Sequence, residues 1–180
     1  TENRLRESER IKSVVLSNLP GIAYRCLFNK EWTMEFISEG CYSLTGYKAE
    51  ELLYNKKMSF NDIIAPEFRD HLWQCWIHAA DTHTHITEEY KIITADNKVK
   101  WVWEQGIPIY NEAGEVEALE GLIIDIDERK TLEKRLFDER TLMRTLIDNI
   151  PDFIYAKDAQ LRQTLANKAE ITFAGLQSED

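Results

Sequence analysis

Between Ile86 and Glu128 the chain reads ITEEYKIITADNKVKWVWEQGIPIYNEAGEVEALEGLIIDIDE, three β-rich runs separated by two turns and closed by charged residues. Residues 87–94 are crowded with aromatic and branched side chains, which suit a pleated, half-buried surface. Ala95-Asp96-Asn97-Lys98 turns the chain, because Asp and Asn bond their own backbone and tolerate left-handed conformations. Residues 99–110 are a second strand pattern, Asn111-Glu112-Ala113-Gly114 a second turn, and residues 116–126 a third strand. Asp125 and Asp127 are placed to cap a helix expected from about Glu128. The stretch predicts a three-stranded meander that feeds directly into a helix.

The segments before it are shorter. Residues 2–17 carry Leu5, Ile11, Val15 and Leu16 at helical spacing among charges, and Asn18-Leu19-Pro20-Gly21 breaks that helix. Residues 22–28 and 33–37 read as two short strands. Residues 40–53 support short helices interrupted at Gly46, and residues 61–64 one further turn. A longer helix is predicted from Pro66, a residue suited to a first helical position, to about Ala80. Phe68, Leu72, Cys75, Trp76 and Ala79 share one face of it, with Glu67, Gln74 and Asp81 opposite. That face needs a partner, and the meander is the nearest one.

The opening recurs. Asn18-Leu19-Pro20-Gly21-Ile22-Ala23-Tyr24 returns as Asn149-Ile150-Pro151-Asp152-Phe153-Ile154-Tyr155, and Gly46 as Gly175. A period this long is a domain rather than a solenoid unit. The expected organisation is a flanking helix over 1–17, a domain over 18–127, a linker helix over 128–148 and the start of a second domain over 149–180. Without its own long helix and meander, that last piece would expose Phe153, Ile154, Leu165 and Phe173, so it is expected to be mobile or ordered only by packing on something else.

Composition removes several functions. A net charge of −10 argues against nucleic acid and against an anionic membrane surface, both of which need clustered Lys and Arg. Cys26, Cys41 and Cys75 are odd in number and widely spaced, as expected of reduced cytoplasmic thiols. No apolar run is long enough to span a bilayer, and no signal-peptide pattern occurs. With Thr1 in first position, the sequence reads as an excised piece of a longer protein.

Two strands, short helices, one long helix and three strands follow the order of the PAS fold, an α+β architecture with a five-stranded antiparallel sheet carrying its helices on one face. The local sequences resemble that family too: Asn18-Leu19-Pro20-Gly21, Ile37-Ser38-Glu39-Gly40, Leu44-Thr45-Gly46-Tyr47, Glu89-Tyr90-Lys91 and Trp101-Val102 in order. Asp125-Ile126-Asp127-Glu128-Arg129 is similar to the PAC-type Asp-Ile-Thr junction, departing at the Thr. The resemblance implies a cytoplasmic sensory or relay module of a bacterial-type signalling protein, usually dimeric, with an output domain in cis such as a histidine kinase or a diguanylate cyclase. The apolar stripes Leu5, Ile11, Val15 and Leu16 and Leu132, Leu136, Met143 and Leu146 predict a parallel homodimer through the flanking helices. Neither a kinase His box nor a Gly-Gly-Asp/Glu-Glu-Phe signature occurs here, so that output lies outside this piece. Fold by itself assigns no ligand.

The residues offer no catalytic constellation: no phosphate-cradling Gly loop, nucleophile elbow or His-Glu-x-x-His helix, so no enzymatic activity is expected. His71 and His78 fall about 100–120° from Leu72 around the long helix, which argues against a haem ligand, and His83 would align with the apolar face only if the helix ran past Asp81. The stretch Asn61-Asp62-Ile63-Ile64-Ala65-Pro66 lacks the Cys a flavin adduct needs, so no cofactor is expected. His71, Cys75 and His78 lie on one flank, but Cys75 also belongs to the apolar face, and zinc takes four ligands or three plus water. No metal site is assigned.

If the family's pocket between helix and sheet exists here, its candidate lining is Phe36, Leu72, Trp76, Tyr90, Ile92, Trp101, Trp103 and Leu122. Trp76 and one of the two meander Trp side chains are expected to fill it. Alternation puts Trp101 and Trp103 on one face and Val102 on the other, without saying which face is inner. Asp125, Asp127, Glu128 and Arg129 are the candidate signalling junction. Two readings stay open: a ligand-responsive sensor, and a ligand-free dimerisation and protein-interaction module with an aromatic-filled core.

Overall fold

The computed structural model describes residues 20–175, which divide into two compact units after Glu128. The helix expected over residues 1–17 lies outside the described residues. The first unit is an α+β fold. Strands β1 (Ile22–Cys26) and β2 (Met34–Ile37) are followed by short helices α1 (Gly40–Thr45), α2 (Ala49–Leu52) and α3 (Phe60–Ile63), then by α4 (Pro66–Thr82). Strands β3 (Ile86–Ile93), β4 (Val99–Tyr110) and β5 (Val116–Asp125) complete it, and α5 (Asp127–Asp148) leaves it. The five strands form one antiparallel sheet in the order β2-β1-β5-β4-β3.

Local chemistry accounts for most boundaries. Asn97, at φ 58°, makes the β3–β4 turn, and Thr94 N–H closes it on Lys98 C=O at 2.9 Å. Asn111 Oδ1 accepts from Ala113 N–H at 2.9 Å and Glu115 N–H at 3.0 Å, with Gly114 at φ 81°, which makes the β4–β5 turn. Ser59 and Asp62 cap α3 reciprocally, and Pro66 opens α4. Helix α4 runs two residues beyond the expected Ala80, because His83 supplies a left-handed C-cap at φ 54° and donates its N–H to Ala79 C=O.

Leu72, Trp76, Ala79 and Ala80 form the buried stripe of α4. On the sheet, Ile22, Tyr24 and Cys26 of β1, Ile86, Tyr90 and Ile92 of β3, Val102 and Glu104 of β4, and Leu119 and Ile123 of β5 are buried. The register sets Tyr90 opposite Val102 and Glu104 opposite Ile123, which assigns one shared inner face to these side chains.

In the second unit, β6 (Tyr155–Lys157) and β7 (Gln163–Ala166) pair antiparallel and lead into α6 (Lys168–Ala174). Its geometry repeats the opening of the first. Ser38 N–H donates to Ala23 C=O, and Ala23 N–H to Ser38 Oγ, each at 2.9 Å. Asn167 N–H donates to Ile154 C=O at 2.9 Å, and Ile154 N–H to Asn167 Oδ1 at 3.1 Å. Gly46 and Gly175 end α1 and α6 alike, at φ 78° and 66°. Asn167 is fully buried, and its amide also donates to the carbonyls of Ile147, Ile150 and Asp152. Phe153 and Phe173 stack at 4.8 Å but stay largely exposed, while Ile154 and Leu165 are half-buried.

Candidate functional site

The space between α4 and the sheet is filled by aromatic rings. Trp76 is 1 % exposed and is met by Trp32 at 6.2 Å; Trp73 adds an edge contact to Trp32 at 5.6 Å. Trp32 holds a left-handed φ of 52°, which costs a bulky residue about 1–3 kcal/mol and is offset by the packing of its indole. Gly106 and Gly121, paired across β4 and β5, make this filling possible. A Cβ on Gly106 would come 2.6 Å from Trp76 Cη2, and one on Gly121 would come 2.8 Å from Tyr24 Oη. The cavity that remains holds about 10 Å³. Pockets for small molecules run to about 300–1,000 Å³, so a ligand could enter here only if Trp76 or Trp32 moved.

One carboxylate lies inside this apolar wall. Glu104 is 5 % exposed and lines the cavity with Tyr24, Cys26 and Tyr90. Tyr24 Oη donates a hydrogen bond to Glu104 Oε1. Tyr90 Oη faces the same carboxylate without a well-directed bond. Burial raises Glu104 to about 7; the two tyrosine hydroxyls act against that, and Glu88, directly across β3, adds to it. Burial, reinforced by the Glu104 charge, holds Tyr24, Tyr90 and Cys26 well above their ordinary values. A neutral Glu104 carries an O–H that Tyr90 Oη can accept, so protonation completes the cluster. Glu104 carries no signal of its own in the sequence: alternation places it on the face of Val102, but only the packing of α4 makes that face the inner one.

The expected pocket residues separate into two groups. Leu72, Trp76 and Tyr90 line the cavity, and Ile92 is fully buried where it bridges Ile64. Phe36 and Leu122 instead lie along an open groove on the opposite face of the sheet, with Phe36 43 % exposed. Trp101 and Trp103 share the parity opposite to Val102 and Glu104 and are half-buried; Lys91 Nζ stands 5.2 Å from the Trp101 ring, and Phe68 meets it edge-on. The interior is therefore filled by Trp76 and Trp32, and neither meander Trp takes part. His71 and His78 are exposed on α4, and His83, past its end, stacks on Tyr110 at 4.4 Å.

At the end of β5 the chain is fastened to β4. Ile126 N–H donates to Trp101 C=O at 3.0 Å, and Trp101 N–H donates to Asp127 Oδ1 at 3.2 Å. Asp125 Oδ1 accepts from Asp127 N–H at 2.9 Å, and its other oxygen pairs with Lys100 Nζ at 3.0 Å. Asp125 thus caps as expected. Asp127 does not: it is the first helical residue, and its carboxylate turns back to the sheet to accept the Trp101 N–H. Glu128 and Arg129 follow in the first turn of α5, with Arg129 Nε 3.9 Å from Glu133.

Comparison with known proteins agrees with this architecture. Residues 34–123 match the PAS fold family. The chain is 24% identical over 116 residues to a methyl sulfide methyltransferase-associated sensor of Methanosarcina acetivorans, covering 64% of this chain and 11% of that protein. It is 28% identical over 130 residues to a nitrogen fixation regulatory protein of Klebsiella pneumoniae, covering 72% of this chain and 26% of that one. The chain therefore spans about a tenth to a quarter of the length of these curated relatives. A sensory box histidine kinase/response regulator structure from Burkholderia thailandensis superposes with a TM-score of 0.59 at 22% identity, covering 73% of this chain and 96% of that one. With its sheet order, its long helix and half its length matched, this chain belongs to the PAS fold family.

Proposed function

We propose that the chain is a sensory and relay module of a larger cytoplasmic signalling protein, passing a change in the PAS sheet through α5 to an output domain in cis. The observation that carries this reading is the double backbone tie at Trp101. Its C=O and N–H hold the two residues, Ile126 and Asp127, at which β5 becomes α5. No Gly or Pro lies between Leu122 and Asp148 to absorb a displacement, so movement of β4 must move the start of the helix. Among the described residues, no helix is long and apolar enough to cross a membrane. Similarity to a sensor, a regulatory protein and a histidine kinase/response regulator supports an output of the signalling kind.

In this reading the chain works as a homodimer through its flanking helices. Leu132, Leu136, Met143 and Leu146 are each more than half exposed and follow a heptad spacing that Glu139 interrupts. Residues 149–180 open a second PAS domain, a reading supported by the matching hydrogen bonds of Ser38 and Asn167. The small residual cavity favours the second form of the proposal: a module without a resident small molecule, whose input is contact with a partner.

Helix register tests the relay. Deleting one residue between Lys130 and Arg140 rotates the following stripe by about 100°, whereas deleting seven nearly restores it. In the full-length parent, the first deletion should lock or invert output and the second should largely preserve it. Output indifferent to both deletions would reduce α5 to a tether.

A further inference from the structure

His71 and Cys75 stand one turn apart on α4, and Glu88 faces them from β3, on the strand face shared with Tyr90. His71 Nε2 lies 3.1 Å from Glu88 Oε2, and Cys75 Sγ lies 3.5 Å from that nitrogen and 3.4 Å from Glu88 Oε1. One ligand atom from each residue falls within 4.8 Å of the others. Tetrahedral zinc, with bonds of about 2.3 Å to sulfur and about 2.0–2.2 Å to nitrogen and oxygen, sets ligand edges of about 3.6 Å from sulfur and about 3.4 Å between nitrogen and oxygen. The observed separations are within a few tenths of an ångström of these edges when each partner takes its own Glu88 oxygen, and a single oxygen serving both is reached by turning the carboxylate within a triangle whose edges are at most 4.8 Å. An ion could therefore bind with small side-chain adjustments and no movement of α4 against β3.

We propose that His71 Nε2, Cys75 Sγ and the Glu88 carboxylate form a binding site for a divalent transition ion of the zinc class, with the fourth position open to water or an exogenous ligand. The charges suit a dication: a thiolate and a carboxylate neutralise it, and the imidazole adds a neutral donor. His71 is 60% exposed at its side chain, which gives the ion a path in and the fourth ligand a place. On binding, a metal–sulfur bond replaces the S–H bond and the proton passes to solvent. The pattern His71, Cys75 and His78 on one helix does not give this site. The third ligand comes from the facing strand. The proposal rests on this geometry alone and is independent of the relay.

Cobalt(II) is the probe, added to the untagged 180-residue chain freed of metal by chelation. A thiolate-to-cobalt absorption band in the near ultraviolet should saturate at one equivalent and be displaced by zinc. Cys75→Ser should abolish the band. His71→Ala and Glu88→Gln should each weaken binding at least about tenfold, a loss that even outer-shell partners can bring. His78→Ala should leave it unchanged. The wild-type titration needs no variant to fold, and its failure to give a thiolate band would overturn the proposal, leaving a triad held only by hydrogen bonds. A band that survives Cys75→Ser, or disappears with His78→Ala, would assign the metal to other residues and overturn it equally.

Discussion

Replacing Glu104 with Gln should make the first unit more stable at pH 8 while changing it little at pH 5. Each tenfold in proton affinity is worth about 1.4 kcal/mol. Raising a carboxyl from its ordinary 4.5 to about 7 therefore corresponds to roughly 3 kcal/mol. The folded state binds the proton more tightly than the unfolded chain. The contribution is thus fully present below pH 4.5 and is lost as pH rises through about 7. Glu104 is almost fully buried, so solvent screening takes little from this figure. The titratable groups facing it are Tyr24 and Cys26 on β1 and Tyr90 and Glu88 on β3; α4 presents only Leu72 and Trp76 to the cavity. Gln keeps the shape, accepts from Tyr24 and can donate toward Tyr90, without a charge to bury. All five Trp residues lie before Glu128, so tryptophan fluorescence during denaturant unfolding reports this unit alone. Measured from pH 5 to 8, the two proteins should start within about 1 kcal/mol of each other and diverge to roughly 3 kcal/mol in favour of the variant. A difference that stays constant with pH would refute the burial argument.

Gly106→Ala should cost about 1–3 kcal/mol by overpacking against Trp76. Trp76→Leu in the same chain should recover part of that loss, and strictly additive costs would show that the two do not meet. Asp127→Ala should cost about 1 kcal/mol, read as faster hydrogen exchange at the Trp101 amide; unchanged exchange there would remove Asp127 from the junction. Asn167→Ala strips partners from buried backbone groups and should cost more than about 2 kcal/mol in the second unit. Exchange protection over residues 150–175 should fall while the fluorescence-detected transition stays in place, and retained protection would count against Asn167 as the clasp.

The elements themselves were legible because their signals are local. Period-two alternation, the Asn and Asp turns, Pro66 and the apolar stripe of α4 lie within a few residues of what they determine, and β4 occupies the expected residues 99–110. The repeat was visible too, as matching residues at matching intervals. The sequence also restricted Trp101 and Trp103 to a face opposite Val102, and only the packing of α4 on the sheet decided that Val102 points inward. Phe36 and Leu122 look like interior residues in the sequence but lie on the outer face, because an apolar residue in a strand does not declare its face until the strand is paired. Glu104 is not legible as a core residue, because a carboxylate seldom lies in a core and its acceptance there depends on a tyrosine eighty residues away in sequence. Glu88 reaches His71 and Cys75, Gly106 admits Trp76, and Asp127 turns to Trp101 through the same kind of long-range meeting. Periodicity fixes which side chains share an element. Which elements face each other, and so which polar groups find partners, is decided by the pairing of strands and helices distant in the chain.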